Sequence, residues 1–360
     1  MSVSTKTTPV PLKILAWPYM ADRALNPYAS LLYQGLEQTG EVSVTEFSLR
    51  RLFLGKWDIV HVHWPDGFWP RHGLAISLAF ALVFLAGLIL ARLRGGRLVW
   101  TTHNVSAHER RNEWARRLYM RGFTMLCDGI ISLSPENRDS ILSEYPHLSW
   151  RTHLVTAHGL YDDHYPGTKL SREACRAKLA LASDARVLLA LGNIRPYKDY
   201  PRLIDAYREL PREIRDRWTL LIAGKSNGSL GQELAEQAQD LPEVRIRDAF
   251  VPDDEIAVYM RATDMVVLPY RTMQNSGAAN LAVTFGCPVL APSINSFRDM
   301  AQSFPNMVHL FEGELDSDTL QAALLRHASD AVAPDWQGLR RTITRATLEF
   351  YHRLTGSEAR

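Results

Sequence analysis

Short apolar runs alternate with longer amphipathic segments along nearly the whole chain, and this alternation constrains the fold more than any other feature. It is typical of parallel sheets covered by helices on both faces. The predicted strands of the first half are Leu12–Ala16, Val42–Phe47, Ile59–His63, Leu98–His103, Gly129–Leu133 and His153–Thr156. Those of the second half are Val187–Leu191, Thr219–Ala223, Val244–Asp248, Met265–Leu268, Val289–Ala291 and Val308–Phe311. Two sets of about six strands predict an α/β protein with two doubly wound domains.

The division into domains follows from the same pattern. The loop-like stretch Gly159–Lys169 interrupts the alternation, so we expect an N-terminal domain over residues 1–165 and a C-terminal domain over residues 166–335. Residues 336–360 contain a helix-length segment that could pack back on either domain, including the N-terminal one. With the two domains face to face, the predicted active cleft lies between them. Predicted helices include Tyr28–Gln38, Pro135–Glu144, Tyr200–Leu210, Asp254–Arg261 and Trp336–Leu354.

The composition excludes several classes of protein. A net charge of +2 over 360 residues gives no bulk electrostatic attraction for nucleic acid. Cys127, Cys175 and Cys287 lie far apart, without the spacing of a metal site or a disulfide framework, as in reduced cytosolic proteins. The N-terminal segment lacks the pattern of a signal peptide. We therefore expect a cytoplasmic protein.

Polar loops follow the predicted strands of the second half, at the edge where open parallel sheets bind ligands. Arg195 and Lys198 lie after Val187–Leu191, and two cations three residues apart could clamp a diphosphate. A solvated charged loop is the alternative. Lys225 follows the next strand, and Phe250 with Val251 could hold a nucleotide base, although Phe250 could equally lie in the core.

The loop Arg271–Gly277 resembles an anion site. It lies between an apolar strand and a helix-like segment, so the free N–H groups of the helix N-terminus would face its contents. Asn275 and Ser276 are residue types that cap helices, and Gly277 lets a phosphate approach the backbone. An ordinary connecting loop is the alternative. We predict that these three residues bind the diphosphate of a nucleotide-containing donor substrate.

The first half carries carboxylates and imidazoles at the ends of two predicted strands. Asp66 follows one strand, and His103 and Glu109 lie at and after the end of the next. This combination suits a general base that deprotonates an acceptor hydroxyl, and Asp66 is the first candidate, followed by Glu109. A hydrogen-bonded structural role is the alternative for the histidines. The predicted acceptor-binding residues are Asn26, Tyr28, His63, Trp64, Asn104 and His108.

Competing chemistries have no sequence signal. The motifs GxxxxGK[ST], HExxH and paired CxxC are absent from the chain. Asp316 and Asp318 form a D-x-D pattern before a helix-like segment, which is typical of an N-cap rather than a metal site. We expect no metal and no cofactor.

The stretch Leu74–Ala91 contains eighteen residues without a charge, and Arg92, Arg94 and Arg97 follow it. A helix of this length is about 27 Å long, close to a membrane span. A true span would place the strands on either side of it on opposite faces of a bilayer. Two interpretations remain: a helix buried on all sides, or a helix lying in the membrane interface with the arginines facing anionic headgroups. We favour the second.

Five short motifs occur in order through the second half: Gly192–Lys198 (GNIRPYK), Ile222–Gly224 (IAG), Phe250–Pro252 (FVP), Ala262–Pro269 (ATDMVVLP) and Gly286–Val289 (GCPV). Their order and spacing resemble the nucleotide-sugar domain of GT-B glycosyltransferases. The resemblance implies two Rossmann-like domains facing each other across a cleft and a nucleotide-sugar donor.

A closer resemblance covers nearly the whole chain. Its motifs are Asn26–Tyr28 (NPY), His61–Asp66 (HVHWPD), Thr102–Asn104 (THN), His108–Glu109 (HE), Arg195–Lys198 (RPYK), Leu268–Gly277 (LPYRTMQNSG) and Phe311–Glu314 (FEGE). They are similar to the β-mannosyltransferases of xanthan-type exopolysaccharide assembly. This resemblance implies transfer of mannose from GDP-mannose to a polyprenyl-diphosphate-linked oligosaccharide, with inversion and without a metal, at the inner face of the bacterial plasma membrane.

The chain departs from many retaining GT-B enzymes at one position. In those enzymes a glutamate that binds the nucleotide ribose lies where this sequence has Leu281, and no glutamate occurs between Leu268 and Pro292. Leucine cannot accept a hydrogen bond, so ribose recognition must differ, and the departure favours inversion. Transfer of another sugar, retention through a variant site, and a catalytically silent glycolipid-binding protein remain alternatives.

Overall fold

The computed structural model of the chain describes residues 10–20, 27–68, 73–103, 112–159, 161, 165, 170–272, 276–326 and 335–357. The chain divides into two compact units: unit 1 comprises Met1–Gly159 with Gln337–Arg360, and unit 2 comprises Leu160–Trp336. Each unit contains a six-stranded parallel sheet. Two Rossmann-like halves of this kind confirm the predicted fold class.

Unit 1 orders its strands β2-β1-β3-β4-β5-β6. Its strands are β1 (Leu12–Trp17), β2 (Val42–Glu46), β3 (Ile59–Val62), β4 (Arg97–Thr102), β5 (Gly129–Ser132) and β6 (Thr152–Val155). β3 and β5 are buried at every position, as expected for strands covered on both faces. The winding direction reverses between β1 and β3, so the loops after these strands flank the crevice where such sheets bind ligands.

Unit 2 orders its strands β12-β11-β10-β7-β8-β9. They are β7 (Arg186–Leu191), β8 (Trp218–Ala223), β9 (Val244–Arg247), β10 (Met265–Val267), β11 (Val289–Pro292) and β12 (Val308–Phe311). Here the winding reverses between β7 and β10, which brings the loops after those strands to one crevice. All twelve predicted strands are therefore confirmed, each within one residue of its predicted ends.

Helices connect the strands in both units. In unit 1 they are α1 (Tyr28–Glu37), α2 (Leu49–Leu54), α3 (Leu74–Leu93), α4 (Glu113–Leu126) and α5 (Pro135–Glu144). In unit 2 they are α6 (Arg172–Lys178), α7 (Tyr200–Arg208), α8 (Arg212–Arg215), α9 (Leu230–Gln237), α10 (Asp253–Ala262), α11 (Gly277–Thr284), α12 (Asn295–Ser303) and α13 (Ser317–Arg326). The chain then forms α14 (Trp336–Thr355).

The C-terminal helix α14 packs into unit 1. Tyr351 is fully buried, and its hydroxyl lies 2.7 Å from Nδ1 of His61 in β3. Nε2 of His352 lies 3.1 Å from Oε2 of Glu41, within hydrogen-bond distance. A β-carbon at Gly129 would lie 2.7 Å from the Phe350 ring, so glycine lets α14 approach β5. The last helix therefore completes the core of the unit that contains the N-terminus.

The apolar helix α3 is buried on one side only. Phe84 and Leu88 are buried, whereas Ile76, Leu82 and Leu93 are 61%, 68% and 80% exposed. The interpretation that this helix is buried on all sides is therefore wrong. Within the described residues it is the one helix long and apolar enough to cross a membrane. However, it connects β3 to β4, which pair directly in one sheet, so both of its ends lie on the same sheet.

The arginines at the end of α3 and after it make contacts within unit 1, although Arg94 and Arg97 remain exposed. Arg92 donates to the carboxylate of Asp128 and to the backbone oxygen of Leu126. Arg94 donates to the backbone oxygens of Phe53 and Gly55. These guanidiniums donate to backbone carbonyls and to a carboxylate of unit 1. They anchor the end of α3 to the unit.

Candidate active site

Lys198 is a buried cation in the loop after β7. Its side chain lies over two rings, with Nζ 5.2 Å from the centroid of Tyr270 and 5.9 Å from that of Tyr200. Burial, together with the nearby charge of Arg195, lowers the pKa of Lys198 to about 7. No carboxylate in the described part of the chain forms an ion pair with it. A buried ammonium without a counter-charge is poised to gain from an anionic ligand.

Glycine shapes the loop around this cation. Gly192 has φ +109°, and a β-carbon there would lie 3.0 Å from Nζ of Lys198. A β-carbon at Gly224, after β8, would lie 2.1 Å from the backbone oxygen of Gly192. The two loops also pair through the backbone, because Ile194 N–H donates to the oxygen of Lys225 at 3.0 Å. Only glycine at both positions permits this close packing.

The other predicted cations lie in the same two loops. Arg195 is half-buried, and its Nη1 donates to the backbone oxygens of Ile194 and Lys225 at 2.8 and 3.2 Å. The side chain of Lys225 is exposed. Neither cation forms an ion pair within the described ranges. The loops after β7 and β8 thus gather three positive charges at one edge of the sheet.

The loop after β10 meets the loop after β7 at the crevice of unit 2. Arg271 donates two hydrogen bonds of 2.8 Å to the buried carboxylate of Asp199, and its N–H donates to the backbone oxygen of Tyr197 at 2.9 Å. Ser276 caps α11 by accepting from Ala279 N–H at 3.2 Å, and Gly277 is the exposed first residue of that helix. Arg271 therefore braces the start of the loop after β10.

Phe250 and Val251 lie after β9, and Leu281 lies on α11. Phe250 is 60% exposed, so the core alternative for its ring is wrong, while Val251 is buried. Leu281 is buried on α11 and offers no acceptor for a ribose hydroxyl. Asn275 lies outside the described residues. The exposed ring of Phe250 is available for contact with a ligand.

Asp66, the predicted base of unit 1, is held by α4. Arg116 donates from Nη1 to Oδ2 of Asp66 at 3.0 Å and from Nη2 to Oε1 of Glu113 at 2.8 Å. The hydrogen bond from Arg116 lowers the pKa of Glu113 to about 2, and the two carboxylates raise the pKa of Arg116. Tyr119, one turn further along, donates its hydroxyl to the backbone oxygen of Pro65 at 2.7 Å. Helix α4 therefore fixes the loop that carries Asp66.

Histidines form a buried cluster beside that loop. His63 is 1% exposed, and its ring nitrogens lie 2.8 Å from the hydroxyl of Tyr33 and 3.1 Å from Nε2 of His103. Both nitrogens are thus engaged within the protein, so His63 has no polar atom left for the acceptor that it was predicted to bind. Burial, followed by the charges of neighbouring histidines, lowers the pKa of His63 and His103.

Aromatic rings surround His103 at the end of β4. The half-buried ring of Trp64 stacks on it at 4.3 Å between centroids, and Tyr28 meets it edge-on at 4.8 Å. Tyr28 itself is buried. Three predicted residues are thus brought together at one edge of the sheet. The predicted residues Asn26, Asn104, His108 and Glu109 lie outside the described residues.

Comparison with known proteins places the chain in a family. Residues 171–335 match the family model "Glycosyl transferases group 1". The GDP-mannose:glycolipid 4-beta-D-mannosyltransferase of Xanthomonas campestris pv. campestris is 31% identical over 323 residues, which cover 86% of this chain and 83% of that protein. The chain belongs to the GT-B glycosyltransferases, in the family of this mannosyltransferase.

Solved structures agree with the fold of this glycosyltransferase. A glycosyltransferase from Rickettsia africae superposes with a TM-score of 0.63 at 13% identity, covering 97% of this chain and 100% of that chain. Sucrose-phosphate synthase from Thermosynechococcus elongatus gives a TM-score of 0.61 at 17% identity, covering 96% and 95%. At such low identity the likeness concerns the fold alone.

The acidic pattern before α13 is structural in this glycosyltransferase. Asp316 accepts a hydrogen bond from Thr319 N–H at 2.8 Å, so it caps the helix as its spacing predicted. Among the described residues, no group of three His, Cys, Asp or Glu side chains could hold a metal ion.

Four residues of the site gave no signal in the sequence. Arg116 and Tyr119 brace the Asp66 loop, Asp199 braces the loop after β10, and Tyr33 contacts the histidine cluster. Each acts across elements that are distant in sequence, and no motif marks such a contact. The i, i+3 spacing of Arg116 and Tyr119 places both on one helix face but does not identify their partners.

Proposed function

We propose that this glycosyltransferase moves mannose from GDP-mannose to a polyprenyl-diphosphate-linked oligosaccharide, with inversion, in exopolysaccharide synthesis. The named activity of the Xanthomonas relative, 31% identical over 86% of this chain, supports the donor and a glycolipid acceptor. The observation that carries the proposal is the buried ammonium of Lys198, which has no carboxylate partner among the described residues and lies at the crevice of the sheet in unit 2.

Unit 2 holds the donor in this proposal. Lys198 and Arg195 balance the charge of the diphosphate, and the N-terminus of α11 at Ser276–Gly277 supplies N–H donors. Lys225 adds a third cation, and Phe250 with Val251 contacts the base. Because these groups can neutralise the leaving diphosphate, we propose that the reaction needs no metal ion and no cofactor, and we expect full activity in the presence of EDTA.

Unit 1 supplies the base. Inverting transfer requires one group that removes the proton from the acceptor hydroxyl, and Asp66 has an oxygen, Oδ1, that accepts no hydrogen bond from the described residues. Leu281 replaces the ribose-binding glutamate of many retaining GT-B enzymes, which supports inversion. Tyr28, Trp64 and His103 would line the acceptor site, with Glu109, Asn26, Asn104 and His108 as further members by sequence.

An exposed apolar surface supports a membrane-bound acceptor. The solvent-facing side of α3 contains only apolar residues, which are Ala75, Ile76, Ala79, Leu82, Val83, Ala86, Ile89 and Leu93. Single exposed apolar residues are common on soluble proteins, but a continuous face of this size marks an interaction surface. We propose that α3 lies in the interface of the cytoplasmic leaflet, where polyprenyl-linked substrates are found.

Helix α4 extends this surface. It packs against α3, and its exposed side combines Trp114, Leu118 and Met125 with Arg117 and Arg121. The turn Pro146–Trp150 packs on α4 and presents the side chain of Trp150, which is 90% exposed. Tryptophan and arginine beside an apolar face are typical of helices that bind anionic membrane surfaces. Arg117 and Arg121 thus take the role predicted for the arginines after α3.

The direct test is transfer by the purified protein. GDP-mannose, UDP-glucose and ADP-glucose are each offered with a polyprenyl-diphosphate oligosaccharide, and the product is analysed by mass spectrometry and by the anomeric NMR signal. A β-mannoside formed from GDP-mannose is expected, and an α-linked product would contradict inversion.

A catalytically silent protein would neither hydrolyse the donor slowly nor be stabilised against heat by GDP. Thermal stabilisation is compared among GDP, UDP and ADP, with Lys198→Ala as the matched control.

A further inference from the structure

Helix α4 has two sides with different partners. Its buried side carries Arg116 and Tyr119, which hold the loop that contains Asp66. Its exposed side carries residues spaced three or four apart, which are Trp114, Arg117, Leu118, Arg121 and Met125. One helix therefore contains both part of the proposed membrane-binding surface and the support of the proposed base.

Glu113 connects the two sides of this helix. Arg116 donates to it twice, from Nε to Oε2 at 3.0 Å and from Nη2 to Oε1 at 2.8 Å. Arg117, whose side chain is 70% exposed, donates from Nε to the same Oε1 at 3.1 Å. Because Arg116 also donates to Asp66, four charged side chains form a continuous row from the exposed side of α4 to the proposed base.

The charges in this row balance, because two of its members are guanidiniums and two are carboxylates. Glu113 stays charged near neutral pH, since the hydrogen bond from Arg116 lowers its pKa to about 2. When Arg117 leaves the row, the remaining three side chains carry a net negative charge. A nearby cation favours the charged form of a carboxylate, so the departure of Arg117 makes it easier for Asp66 to accept a proton.

Anionic lipid is the partner that would draw Arg117 away. A guanidinium pairs with phosphate through two parallel hydrogen bonds, whereas the carboxylate oxygen that Arg117 contacts also accepts from Arg116. We propose that Arg117 is a membrane-sensitive switch, which anionic headgroups separate from Glu113 when α4 meets the membrane, so that transfer is faster at the membrane surface. The effect on transfer rests on the proposed function, whereas the separation of Arg117 from Glu113 does not.

The kinetic test separates activation from concentration of the acceptor at the membrane. The acceptor is a polyprenyl-diphosphate oligosaccharide whose lipid chain is short enough to stay in solution. Saturating phosphatidylglycerol vesicles should raise kcat of the wild type by about two- to fivefold, a modest factor because exposed ion pairs contribute little. Phosphatidylcholine vesicles should leave kcat unchanged. Failure of the wild type to bind phosphatidylglycerol vesicles, or binding without a change in kcat, overturns the proposal.

Arg117→Ala should imitate the membrane-bound state. Its kcat without vesicles should reach that of the activated wild type, and vesicles should not raise it further. Arg121→Ala is the matched control, because it removes the same charge from the same side of α4, and Arg121 forms no ion pair within the described ranges. This variant should retain the two- to fivefold response once vesicles saturate it. Equal responses of the two variants would assign the effect to surface charge and overturn the role of the contact with Glu113.

A spectroscopic measurement tests the switch without any transfer reaction. The Nε–H of Arg116 donates to Glu113, so its ¹H–¹⁵N signal in the full chain labelled with [¹⁵N]arginine reports on that hydrogen bond. Bicelles containing phosphatidylglycerol should shift this signal in the wild type and in Arg121→Ala, but not in Arg117→Ala. Absence of transfer in the wild type would refute the proposed function, and the spectra would still decide the switch. An unshifted Arg116 signal in the bound wild type overturns it.

Discussion

Arg116 donates a hydrogen bond to Asp66 at 3.0 Å from a guanidinium whose side chain is only 4% exposed. The same guanidinium binds Glu113, so one buried cation holds two carboxylates at the N-terminal end of α4. Oδ2 of Asp66 is occupied by this contact, whereas Oδ1 accepts no hydrogen bond from the described residues, so the proposed proton transfer is assigned to Oδ1. The arrangement orients the carboxylate without removing it from solvent, because the Asp66 side chain remains 21% exposed.

Asp66→Asn keeps the shape of the side chain and can still accept from Arg116, but it cannot take a proton. We expect transfer to fall roughly 10²–10⁴-fold, the usual contribution of a general base. Donor binding, which the proposal assigns to unit 2, should be unchanged in a nucleotide titration. Glu113→Gln is the control, because it alters the other partner of Arg116 and should retain most activity. Full activity in Asp66→Asn would contradict the assignment.

Binding of the nucleoside diphosphate should weaken as the pH rises above 7. The pKa of Lys198 without ligand is about 7, since burial disfavours the ammonium. A bound diphosphate favours the ammonium and raises that pKa, so binding takes up a proton at pH 8. The contribution of Lys198 to affinity should therefore be greatest below pH 7. Above pH 7, the affinity should fall by up to about tenfold per pH unit. Calorimetry in buffers of different ionisation enthalpy measures the proton uptake.

Lys198→Arg is the matched control for that titration, because a guanidinium keeps its charge at all accessible pH values. The dependence on pH between 7 and 9 should disappear even if the overall affinity changes. Lys198→Met should weaken binding at every pH. An unaltered pH dependence in the arginine variant would assign the titration to another group.

The sheets were predictable because they rest on a periodic signal. Buried parallel strands such as β3 and β7 consist mostly of apolar residues, and they were located within one residue. The turn positions of Lys198 and Gly277 followed from where each strand ends. The strand order, in contrast, depends on pairing between segments that are distant in sequence. The crevice between β7 and β10 therefore could not be located from the sequence, because its position follows from that order.

The contacts that orient the site were not predictable. Helix α4 has a charged and amphipathic sequence that reads as an ordinary surface helix, although Arg116 is buried in it. The arginines after α3 looked available for lipid headgroups, but Arg92 and Arg94 turn back to carbonyls of their own unit. Tertiary packing determines which partner a side chain contacts, and that partner cannot be inferred from a single sequence.

Asp199→Asn should destabilise the loop after β10 in unit 2. The buried carboxylate accepts two hydrogen bonds from Arg271 and one from Arg202, so the substitution removes charge-assisted contacts that typically contribute about 1.5–3 kcal/mol. Because Arg271 is largely exposed, we expect a loss of about 1–2 kcal/mol in the free energy of unfolding. Affinity for the nucleoside diphosphate should fall together with it, since the loop leads to Ser276.

Glu314→Gln is the comparison for that variant. Glu314 pairs with Arg202 at 2.6 Å, but its side chain is 69% exposed. Exposed pairs contribute only about 0–1 kcal/mol. Chemical denaturation should therefore show a small effect for Glu314→Gln and a clear one for Asp199→Asn, and equal effects would rule out a special role for the buried carboxylate.

Leu82→Gln should weaken binding to anionic vesicles by about tenfold, because full burial of a leucine side chain contributes roughly 1.5–3 kcal/mol. Leu325 on α13 of unit 2 is exposed to the same extent as Leu82, 68%, and Leu325→Gln provides a control with the same chemical change. Flotation should distinguish the two variants only if α3 enters the interface. Loss of binding in both would indicate a general hydrophobic effect, and loss in neither would remove the membrane role of α3.

Replacing Arg117 and Arg121 by glutamine should reduce binding to anionic vesicles more than to neutral ones, because each arginine near such a surface contributes about 1 kcal/mol.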